Sequence, residues 1–218
     1  CGLEGRELSM SDIIFKIGPR INASGRIDNG KQSVDLLVEK DYSVALMQAK
    51  HIDEYNEQRK DIDKQMTEEA NTIVDRLESQ QKQSSIIVYD ENWKKGVVGI
   101  VASRLTEIYF RPTIVLTKDG HLATGSARSV MGFDVYAAVK HCRDLLLNFG
   151  GHTYAAGLTL QWKDIPTFKK RFQEYVDLHI LPEQKQATLD IDAVIDFKDI
   201  TKKFFNDLKK FAPFGPSN

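Results

Sequence analysis

Two short apolar runs rich in β-branched residues, 85–89 (Ser-Ile-Ile-Val-Tyr) and 112–117 (Pro-Thr-Ile-Val-Leu-Thr), flank a stretch with helical periodicity at 96–105. This order constrains the chain more than any other feature, because a strand, helix, strand succession is expected to place its strands side by side in parallel through a right-handed crossover. Lys118-Asp119-Gly120 then reads as a hairpin turn into a strand that ends at Thr124-Gly125-Ser126-Ala127-Arg128-Ser129. Residues 133–147 read as an amphipathic helix with Val135, Ala138, Val139, Cys142, Leu145 and Leu146 on one side, ending at Asn148 before a glycine turn. A strand at 158–162 and a closing helix at 165–179 follow, the latter with Lys169, Lys170 and Arg171 on a solvated face. The expected fold class is α/β, a mixed twisted sheet flanked by helices.

Ahead of this body, 11–16 reads as a helical turn and 18–27 (Gly-Pro-Arg-Ile-Asn-Ala-Ser-Gly-Arg-Ile) as a loop, kept irregular by Pro19, Gly18 and Gly25. A short helix at 31–39 precedes a long one at 41–77. The apolar members of the long helix, Val44, Met47, Ile52, Tyr55, Ile62, Met66, Ile73 and Leu77, form so narrow a stripe that it reads as a strut rather than a core helix, with a coiled-coil dimer as the alternative. Its charged residues, Asp63 among them, read as solvated. The polar run 78–84 looks like a linker. Alternation at 188–194 predicts a half-buried strand opening a further unit, with a short helix at 200–211. Expected boundaries are 1–40, 41–83, 84–181 and 182–218.

Composition excludes little. A hydrophobic fraction of 41% suits a globular chain, and a formal net charge of −1 argues against a uniformly basic surface while permitting a local basic cleft. No apolar run approaches the roughly 20 residues of a membrane span, and the first residues lack the order of a signal peptide, so a cytoplasmic chain is expected. Cys1 and Cys142 lack metal-ligand spacing and read as incidental or buried thiols.

Three segments carry the chemistry. In Phe149-Gly150-Gly151-His152-Thr153-Tyr154-Ala155-Ala156-Gly157, paired glycines expose main-chain N–H groups beside an imidazole, an arrangement that suits a phosphate. From spacing alone, a tight turn with a structural histidine remains equally open. Gly125, Ser126, Arg128 and Ser129 offer hydroxyls and a guanidinium that grips phosphate oxygens bidentately. Arg20, Asn22 and Arg26 are the polar members of the third segment. A helix start at Gly96 could also hold a phosphate, although close helix–sheet packing through Gly99 and Ala102 is the preferred reading.

Taken together and in this order, GPRINASGRI, GSARS and FGGHTYAAGLTL resemble the C-terminal half of the RecJ family, single-strand-specific 5′ to 3′ DNA exonucleases of the DHH phosphoesterase superfamily that serve DNA repair and recombination. The resemblance covers nearly the whole chain. It implies that 1–40 faces a cleft, that 41–83 connects two halves, that 84–181 is a DHH-associated substrate-binding domain, and that 182–218 begins an oligonucleotide-binding-type unit that is cut off. It also implies two Mn or Mg ions held by Asp and His ligands in an N-terminal DHH half. No such aspartate-rich cluster is seen in the sequence, so this chain is expected to hold no metal and to be inactive alone. Arg20, Asn22, Arg26, Ser126, Arg128 and Ser129 would then position single-stranded DNA or its 5′ phosphate. His152, with the Gly150 and Gly151 amides, would act on the phosphate being cleaved. Where the family pattern carries a histidine after the tryptophan, this chain has Lys94, which offers only a cation.

A small-nucleotide phosphodiesterase of the same superfamily, acting on cyclic dinucleotides or nanoRNA, shares the Gly-Gly-His element. A non-catalytic nucleic-acid-binding module is a further alternative. The missing initiator methionine and the turn-rich end at 211–218 suggest a fragment.

Overall fold

Strand β1 (Ile86–Asp90) pairs in parallel with β2 (Thr113–Asp119), as the strand, helix, strand order predicts. The computed structural model describes residues 2–5, 7–80, 83–189 and 191–214. Beyond β2 the sheet turns antiparallel through β3 (Leu122–Arg128), β5 (Ala155–Gln161) and β4 (Leu146–His152), in the order β1-β2-β3-β5-β4. The turn between β2 and β3 uses Gly120 at φ +63, a conformation that favours glycine.

Each face of the sheet builds a core. Ile114 and Leu116 of β2 point into one, with Ala123, Ala127, Leu158 and Leu160, covered by α6 (Val135–His141) and α7 (Ile165–His179). Val115 points into the other, with Ile86 and Val88, covered by α5 (Val98–Tyr109) and by Met66, Ala70 and Val74 of α4 (Tyr42–Gln80). Burial on both faces explains why β2 reads as a continuous apolar run. Cys142 is fully buried in the first core, and burial pushes its thiol up to about 11.

Several expectations need correction. GPRINASGRI is not a loop but helix α2 (Gly18–Ile27), which packs on α4 and precedes α3 (Lys31–Val38). Pro19 follows closely on a π-helical turn at Ile13–Ile17, an irregularity of the helical ladder that goes with its missing N–H. The Ser24 and Ser33 hydroxyls meet at 2.7 Å, and Ser33 Oγ donates to the Ile21 carbonyl, joining α2 to α3. The helix expected over 133–147 is α6 plus a 3₁₀ turn at Arg143–Leu145, and Leu146 already opens β4. Gly150, Gly151 and His152 therefore lie within an edge strand rather than in a turn. Helix α4 is also more than a strut: its C-terminal half is core, while Met47 and Tyr42 near its start are exposed. It extends as far as Gln80 into the run read as a linker, of which Gln81 and Lys82 lie outside the described residues.

By contact the chain divides into residues 18–186 and a second unit of 1–17 with 187–218. The second unit contains α1 (Met10–Asp12), a π-helical turn at Ile13–Ile17, and α8 (Lys202–Lys209). The strand expected over 188–194 is absent among the described residues there, which are irregular. Leu189 and Val194 stay 87% and 95% exposed, so no surface covers the apolar side that a half-buried strand requires. Asp190, Cys1 and 215–218 lie outside the described residues.

Candidate nucleic-acid interface

Helix α5 lies over β2 and β3 on its face of the sheet, and β5 and β4 beyond them stay open there. Strand register decides which side chains share that open surface. Ser126 pairs with Gly157 and Gly157 with Gly150; Arg128 pairs with Ala155 and Ala155 with His152. A β-bulge between Leu146 and Asn148 sets this arrangement. Two residues of β4 advance against one of β5, so Asn148, Gly150 and His152 face away from the core while Phe149 packs into it. The result is a groove of about 310 Å³ whose lining includes Thr124, Asn148, Gly150, Gly157 and Thr159.

Arg128 lies on β3 four residues beyond Thr124, on the same face of the strand, and reaches towards α5. Its Nε donates to Ser103 Oγ (3.1 Å) and its Nη1 to the Ala127 carbonyl (2.8 Å) and to Ser126 Oγ. Gly99 makes room for it, since a Cβ there would lie 3.0 Å from Arg128 Nη2. Burial, and then the neighbouring Arg26, lower the Arg128 pKa. Arg26 is lowered likewise, by burial and then by Arg59, with Asp63 opposing. Two half-buried guanidiniums, one of them under the repulsion of the other, make this region attractive to an anion.

His152 is exposed, and its Nδ1 accepts from the Tyr154 backbone N–H at 3.3 Å. The neutral ring consequently carries its proton on Nε2, available to an oxygen on the open face.

The remaining sequence candidates divide. Asn22 is exposed on α2, and Arg20 pairs with Asp53 of α4. Ser129 donates its hydroxyl to the Phe133 carbonyl (2.6 Å) and its N–H to that of Tyr154. Gly125 and Gly151 answer to packing, because a Cβ would lie 2.1 Å from the Val115 oxygen in one case and 2.2 Å from the Ala155 oxygen in the other. Gly150 has no such neighbour. Lys94 is exposed beside buried Trp93, whose Nε1 donates to Glu69 of α4.

Sequence reasoning missed Asp63, which is buried rather than solvated, and the role of Ser103. Spacing was the signal in both cases. Asn56, Asp63, Met66, Ala70 and Val74 recur at seven-, three- and four-residue steps, and Gly99 and Ser103 are one helical turn apart.

Residues 81–177 match the DHHA1 domain family. Across 97% of its length the chain is similar to the single-stranded-DNA-specific exonuclease RecJ of Bacillus subtilis (37% identity, 27% of that protein) and of Escherichia coli (34%, 38% of that protein). The crystal structure of RecJ with Mg²⁺ from Thermus thermophilus superposes with a TM-score of 0.85 at 25% identity, over 98% of this chain and 33% of that one. The chain belongs to the RecJ family. It spans between about a quarter and two fifths of the length of these relatives. The Thermus RecJ has also been crystallised with Mn²⁺. Among the described residues of this chain, no three His, Cys, Asp or Glu side chains are grouped to hold a metal, and no helix is long and apolar enough to cross a membrane.

Proposed function

We propose that this chain is the substrate-holding part of a RecJ-type, metal-dependent single-stranded DNA 5′ to 3′ exonuclease. The observation that carries the reading is Arg128, half-buried and under the repulsion of Arg26, on the face of β3 that also borders a groove whose floor at Gly150 and Gly157 is bare main chain. Arg128 and Arg26 grip a phosphate of the strand, Ser126 orients Arg128, and His152 donates from Nε2 to the phosphate undergoing cleavage. Arg20 and Asn22 on α2 extend the contact along the backbone. Mn or Mg ions in the DHH half of the longer protein, when bound, supply the nucleophile and neutralise developing charge. The residues of this chain bind and orient. Residues 182–218 begin the oligonucleotide-binding-type region, and the working location is the cytoplasm.

The test is fluorescence anisotropy of a labelled 5′-phosphorylated oligothymidylate against the 218-residue chain, titrated across salt. Arg26→Ala and Arg128→Ala are expected to weaken binding and to reduce the slope of log affinity against log salt by roughly 0.7 for each phosphate no longer neutralised. Purine and pyrimidine strands should be affected alike, because backbone contacts carry no base information. Unchanged slopes in both variants would remove the two arginines from the interface.

A further inference from the structure

Asp63 lies midway along α4 with its side chain 1% exposed. Its carboxylate accepts from Arg104 Nε and Nη2, both at 2.8 Å, and from Arg59 Nη1 at 3.3 Å. Arg104 belongs to α5 and directly follows Ser103, the residue whose hydroxyl accepts from Arg128 Nε. One helical turn before Ser103 is Gly99, the notch beside the Arg128 guanidinium. Arg59, which also donates to Asp63, repels Arg26, and Asp63 attracts it. A buried acid between guanidiniums is poor evidence of a stability device, since apolar residues of similar volume often serve as well. What this acid does have is a bidentate hold on the helix that seats Arg128.

We propose that Asp63 is a positioning residue for the phosphate grip: by clamping Arg104 it fixes α5 against α4, and thereby sets the Ser103 hydroxyl and the Gly99 notch that aim Arg128. The inference rests on the reading of Arg128 as a phosphate ligand. It assigns the connector helix a share in substrate binding through residues that do not touch the strand.

Charge and placement predict opposite signs, which makes the test sharp. Asp63→Asn removes a negative charge, and by charge alone the chain should bind a polyanion more tightly. The clamp predicts weaker binding of 5′-phosphorylated oligothymidylate, by fivefold or more, in a chain whose circular dichroism shows it folded. It also predicts that Asp63→Asn adds little to Arg128→Ala, since both act on one group and coupled residues are non-additive. Should Asp63→Asn not fold, Arg104→Gln opens the same clamp from its half-exposed end. Its effect should vanish in an Arg128→Ala background, whereas a mere loss of surface charge would persist there. Unchanged or tighter binding by folded Asp63→Asn, or additivity with Arg128→Ala, would overturn the clamp. An Arg128→Ala chain that binds as wild type would instead bring down the grip itself, and the clamp with it.

Discussion

Gly96 and Arg26 meet main chain to main chain: a Cβ on residue 96 would lie 2.1 Å from the Arg26 carbonyl oxygen, while Arg26 Nη1 donates back to the Gly96 carbonyl at 3.1 Å. Through this contact α2 delivers one guanidinium of the proposed grip to the entrance of α5.

Gly96→Ala is accordingly expected to destabilise the chain by about 1–3 kcal/mol, the usual range for forcing a methyl into packed structure. It should also weaken strand binding, because Arg26 is displaced with its backbone. Urea unfolding and anisotropy measure the two effects. Wild-type values for both would mean that α2 is not seated as described.

The two glycines of the Gly-Gly-His element should separate in their effects. A Cβ at Gly150 meets nothing within 4 Å, whereas at Gly151, with φ +154, it meets the Ala155 oxygen and the Ala156 Cα. Gly150→Val is expected to leave stability within about 0.5 kcal/mol of wild type but to weaken strand binding, since its side chain would occupy the groove. Gly151→Ala is expected to lower the unfolding midpoint. Full strand binding by Gly150→Val would show that the groove is not used.

How much of this was legible follows from where each signal resides. The strands β1 and β2 and the helix α7 stood out because burial on both faces, or on one helical stripe, leaves a local apolar pattern. Helix α2 did not, because its reason for being helical is tertiary: Pro19 is accommodated next to a π-helical turn, and Ala23 and Ser24 are buried, Ser24 against Ser33 of α3. Strand β4 was hidden for a related reason. Its glycines read locally as a turn, and only pairing with β5 and a bulge at Leu147 makes them a strand with an open side. Arg128 and His152 could be singled out from their glycine-rich settings, and spacing puts Asp63 on the buried stripe of α4, but its pairing with Arg104, 41 residues away, is not legible locally.

Cys142 gives the first core a pH signature. Burial raises its thiol from 9.0 to about 11, so the folded chain keeps a proton that the unfolded chain loses near pH 9. Stability from this group is complete below pH 9 and falls as pH rises from about 9 to 11, because there the unfolded state binds fewer protons. Cys142→Ala should flatten that part of the stability profile relative to wild type. Parallel profiles for the two proteins would contradict the assignment.

In the full-length protein, His152→Ala should reduce cleavage by about a hundredfold, the scale on which a lost donor to a developing charge is felt. Because the ring is exposed and bonds only to the nearby Tyr154 N–H among the described residues, the fold should survive. Full turnover by a folded His152→Ala enzyme would assign the histidine to structure.

The division of labour itself is tested by incubating the purified 218-residue chain, the DHH half, and the joined protein with a 5′-phosphorylated single strand, in Mn or Mg and in chelator, and resolving the products on a gel. The account predicts metal-dependent digestion by the joined protein and none by this chain alone, although the chain binds the strand in a salt-sensitive way. Metal-dependent digestion by this chain alone would contradict it.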